Sequence, residues 1–210
     1  MEKFVIAIAR AFGSKGKAIG IALGDAFQIP CYDNQILDMA SEQSGINESA
    51  FYKANERLRY ASFRRFLTPT PHDYIASPST RKFTSDDNLY NIEAQIIREL
   101  AANESCIIMG KAADVVLADR PGLVSVFITA PDDYCINEIS LRMKVDEMEA
   151  RKMVRKTNRY RRQYYEYYSH GQKWDDPTNY DLCINTAKTG KDAAVSLIHD
   201  YTVKKISALP

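Results

Sequence analysis

The sequence predicts an α/β fold in which a parallel sheet lies between layers of helices. Two observations predict it: short, unbroken apolar runs recur along the chain, and stretches of helical periodicity separate them. A strand wetted on one face alternates apolar and polar residues, whereas unbroken apolar runs mark strands covered on both faces. The chain has 210 residues, enough for one such domain with modest insertions and a core that needs no staples.

The elements follow in order. "FVIAIA" (4–9) is the first strand, its run closed by Arg10. The stretch "IARAFGSKGKAIG" (8–20) then turns from this strand into a helical pattern. "IPCYD" (29–33) is a weaker second strand, and "NQILDMA" follows it as a helix. Residues 64–86 contain three prolines and many Ser and Thr, which marks an irregular insertion. "NIEAQIIREL" puts Ile92, Ile96, Ile97 and Leu100 on one helical face, a core-facing stripe.

"SCIIMG" (105–110) and "LVSVFIT" (123–129) are the next strands. "TAPDDY" puts Pro131 at a first helical position with Asp132 and Asp133 in the first turn, where acids complement the helix dipole. In "VDEMEA", Asp146 has the place of an N-cap and Glu149 follows at capping-box spacing. Residues 146–170 form a charged, tyrosine-laden helix. "DLCIN" (181–185) is the last strand, and "TGKDAAVSLI" starts the last helix from Thr189.

Lys and Arg total 28 against 27 Asp and Glu, a formal net charge of +1, so there is no global field for nucleic acid or anionic membrane. Cys31, Cys106, Cys135 and Cys183 are far apart, and three of them fall in strand runs, as buried reduced thiols of a cytosolic protein do. His72, His170 and His199 are equally scattered, which argues against a zinc site. The first apolar run is too short for a secretion signal or a membrane span, so a cytoplasmic protein is expected.

A phosphate-cradling loop presents successive backbone N–H groups and a helix N-terminus to an anion. Against the pattern G-x-x-x-x-G-K-[ST], "AFGSKGKA" keeps Gly16 and Lys17 but has Ala11 for the first glycine and Ala18 for the hydroxyl residue. Its place at the carboxyl end of a first strand, where open parallel sheets bind ligands, favours a variant site over a plain turn.

"ARAFGSKGKAIGIALGDAFQIPCYDNQIL" resembles the opening of the cytidylate kinase-like family, whose loop reads R-x-[FY]-G-S-x-G-[RK]-x-I before a helix and "[FY]-Y-D". "IIRELAANESCIIMGKAADVVL" and "VRKTNRYRRQYYEYYSHGQKWDDPTNYDLCINT" resemble its later segments, so the likeness spans nearly the whole chain. It implies a P-loop NTPase fold, a three-layer α/β/α sandwich around a five-stranded parallel sheet of order 2-3-1-4-5. A helical acceptor-binding insertion at about 45–86 and a lid at about 146–175 would belong to a single domain, 1–210. The implied activity is transfer of phosphoryl from ATP, with Mg²⁺, to a nucleoside monophosphate, CMP or dCMP by analogy. Small-molecule nucleotides are the expected partners, with no membrane and no nucleic acid.

By the same resemblance Gly13, Ser14, Lys15, Gly16, Lys17 and Ala18 bind the ATP phosphates. The usual lysine column of true cytidylate kinases falls on Gly16, flanked by Lys15 and Lys17, either of which is a candidate for its work; at 17 relatives of this variant type often carry Arg. No hydroxyl stands at 18, so magnesium is left to nucleotide oxygens and water, or to Ser14, and no metal ligand is assigned. Lys111 takes the role of an arginine on the acceptor phosphate. Asp33 and Asp114 lie near the acceptor or else cap the helices that follow them. Arg159, Arg161 and Arg162 are the catalytic cations of the lid; by spacing Arg155, Arg159 and Arg162 share a face and Arg161 is displaced from it. Where the family's lid carries D-x-x-R, Asn158 replaces the acid and Arg161 keeps the arginine. Two other readings stay open: a nucleotide-binding regulator with little kinase activity, and an RNA-binding module built on the interleaved arginines and tyrosines.

Overall fold

The computed structural model describes residues 3–57, 75–80 and 82–209. Five strands, β1 (Val5–Arg10), β2 (Cys31–Tyr32), β3 (Cys106–Met109), β4 (Leu123–Thr129) and β5 (Leu182–Asn185), form one sheet in the order β2-β3-β1-β4-β5. Every neighbouring pair is parallel. The helices are α1 (Gly16–Phe27), α2 (Gln35–Ser44), α3 (Glu48–Arg57), α4 (Asp86–Asn103), α5 (Ala113–Val116), α6 (Asp132–Met143), α7 (Glu147–Tyr168) and α8 (Thr186–Ser207).

The apolar runs are continuous because both sheet faces are covered. Along β1, Val5 and Ala7 pack toward α2, α3 and α4, while Ile6 and Ile8 pack toward α1 and α8. All four are buried. The stripe read on α4 is core: Ile92, Ile96 and Ile97 are buried and Leu100 packs beside them.

Four local readings shift. β1 does not stop at Ala9; Arg10 pairs with Ile128 as its last residue, because a charge is tolerated where the strand leaves the sheet. Pro131 is the N-cap of α6 and not its first helical residue. Cys31 is half-buried and Cys183 exposed, since β2 and β5 are the sheet's edges; Cys106 and Cys135 are buried thiols. The last helix is interrupted at Gly190, whose φ of 73° and ψ of 175° separate a short turn from the long helix beyond it. The Asp146 cap is as read, its side chain accepting from Glu149 N–H at 2.8 Å.

Within the expected insertion the structure describes α3 and the turn at 77–80. Residues 58–74 and 81 lie outside the described residues. Helix α7 is one uninterrupted rod whose C-terminal half lies on an aromatic cluster. Tyr164, Tyr165, Tyr168, Trp174, Tyr180 and Phe127 are buried there, and Tyr90 of α4 stacks on Tyr168 with ring centroids 3.6 Å apart. These tyrosines bind the helix to the domain and present no open stacking platform. Among the described residues no helix is long and apolar enough to cross a membrane.

Candidate active site

The site is built where β1, β2 and β3 end, on the carboxyl rim of the sheet. β1 passes through residues 11–15 into α1. Gly13 sits at φ +94°, and a Cβ there would lie 2.5 Å from the Cys135 carbonyl oxygen, so only glycine lets the loop press against α6. The N–H groups of Lys15, Gly16, Lys17 and Ala18 head α1, and the first turn of a helix leaves such groups without acceptors inside it. Helix α1 has no acidic residue in its first turn. The end of the dipole is thus open to an anion.

Ser14 does not face that opening. Its hydroxyl is fully buried between the carbonyl oxygens of Ala11 and Ile128, at 2.9 and 3.1 Å. Its own carbonyl accepts from Thr186 at 3.0 Å. Ser14 therefore fixes the loop, and no side-chain oxygen of this turn is turned toward a metal ion.

The loop is also held from above. Asn158 of α7 accepts the Phe12 N–H at 2.7 Å, and Arg161, one turn on, donates to the Arg10 carbonyl at 2.7 Å. Asn158 thus does with an amide oxygen what the family's acid at that place is equipped to do. The Phe12 ring lies beneath two guanidiniums, those of Arg142 and Arg161, 5.4 and 5.7 Å from its centroid.

The cations divide. Lys15, left-handed at φ 61°, turns away to Glu138 at 3.0 Å and to the face of Tyr134. Lys17 reaches Asp33 at 3.2 Å and is mostly exposed. Arg10 donates to the same carboxylate at 2.8 Å, with its side chain only 13% exposed. Arg161 lies beside them; burial and the neighbouring Arg10 charge push its guanidinium down to about 9. Asp33 is therefore the carboxylate that gathers this positive charge, and it caps nothing: the N-cap of α2 is Asn34. Of the other arginines expected in a lid, Arg155 and Arg159 are exposed, and Arg162 pairs with Asp175 at 3.1 Å. Arg161, the one displaced by spacing, is the one that faces inward.

Beside this cluster a cavity of about 490 Å³ opens between the rim and α7. Arg10, Asp33, Lys111, Asp114, Tyr160 and Arg161 are among the residues that line it. Lys111, also left-handed at φ 58°, is nearly buried and pairs with Glu93 of α4 at 3.2 Å. Tyr164 donates to the same Glu93 oxygen at 3.2 Å. Asp114 accepts from Tyr165 at 2.8 Å, and burial raises its carboxyl to about 6. It does not cap α5, whose N-cap is Ala112.

Residues 5–188 match the model of the cytidylate kinase-like family. The chain belongs to that family. Among solved structures it is similar to an uncharacterized protein from Eubacterium ventriosum ATCC 27560, with 26% identity, a TM-score of 0.69, and 96% of this chain and 99% of that one covered. It is also similar to shikimate kinase from Bacteroides thetaiotaomicron, with 11% identity, a TM-score of 0.51, and 98% and 99% covered; this likeness is one of fold. No curated protein matches the chain. Membership in the cytidylate kinase-like family makes this a kinase-like protein.

Against what the family implies, the site fits one group and not the other. The free N–H groups at the head of α1 and the cations around Asp33 suit a nucleotide's phosphates. Magnesium finds no loop hydroxyl, since Ala18 has none and that of Ser14 is spent on the backbone. Among the described residues no cluster of three His, Cys, Asp or Glu side chains is placed to hold a metal.

Three residues escaped the sequence reading as functional candidates: Arg10, Glu93 and Asn158. Arg10 carried a signal, because it is the arginine that opens the family's loop pattern. Glu93 carried none, since an acid on a helix is ordinarily solvated.

Proposed function

We propose that the chain transfers the γ-phosphoryl group of ATP to a nucleoside monophosphate, with CMP or dCMP as the acceptor. A phosphate oxygen of the acceptor attacks the γ-phosphorus, the bond from that phosphorus to its bridging oxygen breaks, and ADP leaves with the bonding electrons. A monophosphate is already a nucleophile at neutral pH, so the protein's work is positioning and positive charge. One observation carries the reading: Arg10 and Lys17 converge on Asp33, with Arg161 beside them, between the open head of α1 and a cavity of about 490 Å³. Family membership supports a nucleoside monophosphate as the acceptor class.

In this reading the ATP phosphates lie on the backbone of residues 13–18, and Asp33, Lys111 and Asp114 face the acceptor. The lid is the region about 146–175, with Arg161 as its inward cation, and Arg159 and Arg162 at its outer surface. A second reading, a nucleotide-binding regulator with little turnover, is favoured by the loop's missing metal hydroxyl.

A coupled assay for ADP release across CMP, dCMP, UMP, AMP and shikimate separates them. We expect release with a pyrimidine monophosphate. ATP binding with no release for any acceptor would establish the regulator, and release with shikimate alone would overturn the acceptor class.

A further inference from the structure

The phosphate loop of this chain has glycine where true cytidylate kinases place a lysine, and both neighbouring lysines are partnered: Lys15 with Glu138, and the mostly exposed Lys17 with the Asp33 carboxylate that Arg10 also holds. The space a side chain at Gly16 would need is already filled. A Cβ on Gly16 would lie 2.6 Å from Cβ and 3.0 Å from Cγ of Arg10. The Arg10 side chain therefore runs from the end of β1 across the first turn of α1. Its guanidinium then passes over Gly110 at the end of β3, where any Cβ would collide with Nη1. Two glycines, from separate segments, make the trough in which this one arginine lies.

Three contacts fix it there. Asp33, after β2, takes one of its five N–H groups at 2.8 Å, Arg161 holds its carbonyl from above, and the guanidinium lines the cavity. A fork-shaped cation held between the head of a helix and a cavity is suited to the oxygens of a phosphoryl group passing from one side to the other.

We propose that Arg10 is the phosphate-binding cation of this site, replacing from the first strand the lysine that the loop lacks at Gly16. Asp33 holds the guanidinium in position until the polyphosphate supplies the stronger acceptor. This inference rests on the phosphoryl-transfer reading and names the residue that carries its charge.

The test is calorimetric titration of the full chain with ATP and, as the phosphate-free control, adenosine. Arg10→Gln alone leaves the part-buried Asp33 carboxylate with only the exposed Lys17, so the decisive comparison is Asp33→Asn against the double variant Asp33→Asn/Arg10→Gln, which removes both ends of the Arg10–Asp33 pair. We expect the double variant to bind ATP about 10- to 100-fold more weakly than Asp33→Asn, the size of a lost charge-assisted hydrogen bond, with adenosine unchanged. Arg10→Lys should recover part of the affinity, a point charge without the fork. Equal ATP affinity in the two variants overturns the role of Arg10, as does an equal loss for adenosine, while wild-type ADP release leaves the kinase reading standing. A wild-type chain that neither binds ATP nor releases ADP overturns the kinase reading and this inference with it.

Discussion

At the scale of single residues, the site turns on how few carboxylates face its cations. Lys111 is neutralised by Glu93 in a nearly dry setting, the lysine side chain 12% and the glutamate 3% exposed. Removing one partner of such a pair leaves a buried charge alone, so Lys111→Met should cost about 3 kcal/mol of stability. Lys111→Met with Glu93→Gln should cost far less, because Tyr164 can still donate to the new amide oxygen; chemical denaturation of both variants checks this. Asp114 makes a prediction in pH. Its carboxyl is raised to about 6 by burial, so between about pH 4 and 6 the folded chain keeps a proton that the unfolded chain gives up. Stability should therefore fall as pH rises through that window, by about 3 kcal/mol. Asp114→Asn should flatten the profile and be the more stable protein at pH 7, as melting temperatures across pH would show.

At the scale of elements, α7 decides whether the β1–α1 loop keeps its shape. Asn158 holds the Phe12 N–H, so Asn158→Ala should cost about 1–2 kcal/mol and reduce ATP affinity, whereas Asn158→Asp keeps an acceptor and should do neither. Asp146 caps the same helix far from the site. Asp146→Ala should cost about 1 kcal/mol without changing ATP affinity, a contrast that separates holding the loop from holding the helix. The elements themselves were legible because their causes are local: apolar runs for β1, β3 and β4, an N-cap for α7, a periodic stripe for α4. β5 was placed but read as buried, although the sheet order implied by the family resemblance already puts it at an edge; its apolar run alone does not distinguish an edge strand from a central one. The orientation of the α7 arginines was illegible for a related reason. Helical spacing groups Arg155, Arg159 and Arg162, yet says nothing about which face meets the domain, and the buried tyrosines on the opposite side turn Arg161 inward.

At the scale of the whole molecule, the chain brings a loop from its start, a carboxylate after β2, a glycine after β3 and an arginine of α7 to one rim. Parallel strands make this possible by ending together, which is why the loop could be recognised as a site from its position. What could not be read was the filling of the trough over Gly16 by Arg10, a contact between a strand's last residue and a helix's first turn. Main-chain N–H groups at that junction should grip a polyphosphate despite unusual side chains. Amide chemical shifts of Gly13 through Ala18, followed by NMR as ATP is added, test it directly. Large, saturable shifts are expected for Lys15, Gly16, Lys17 and Ala18 with ATP and small ones with adenosine. Amides that stay unmoved at ATP concentrations well above those used by such kinases, or that respond equally to adenosine, would contradict it.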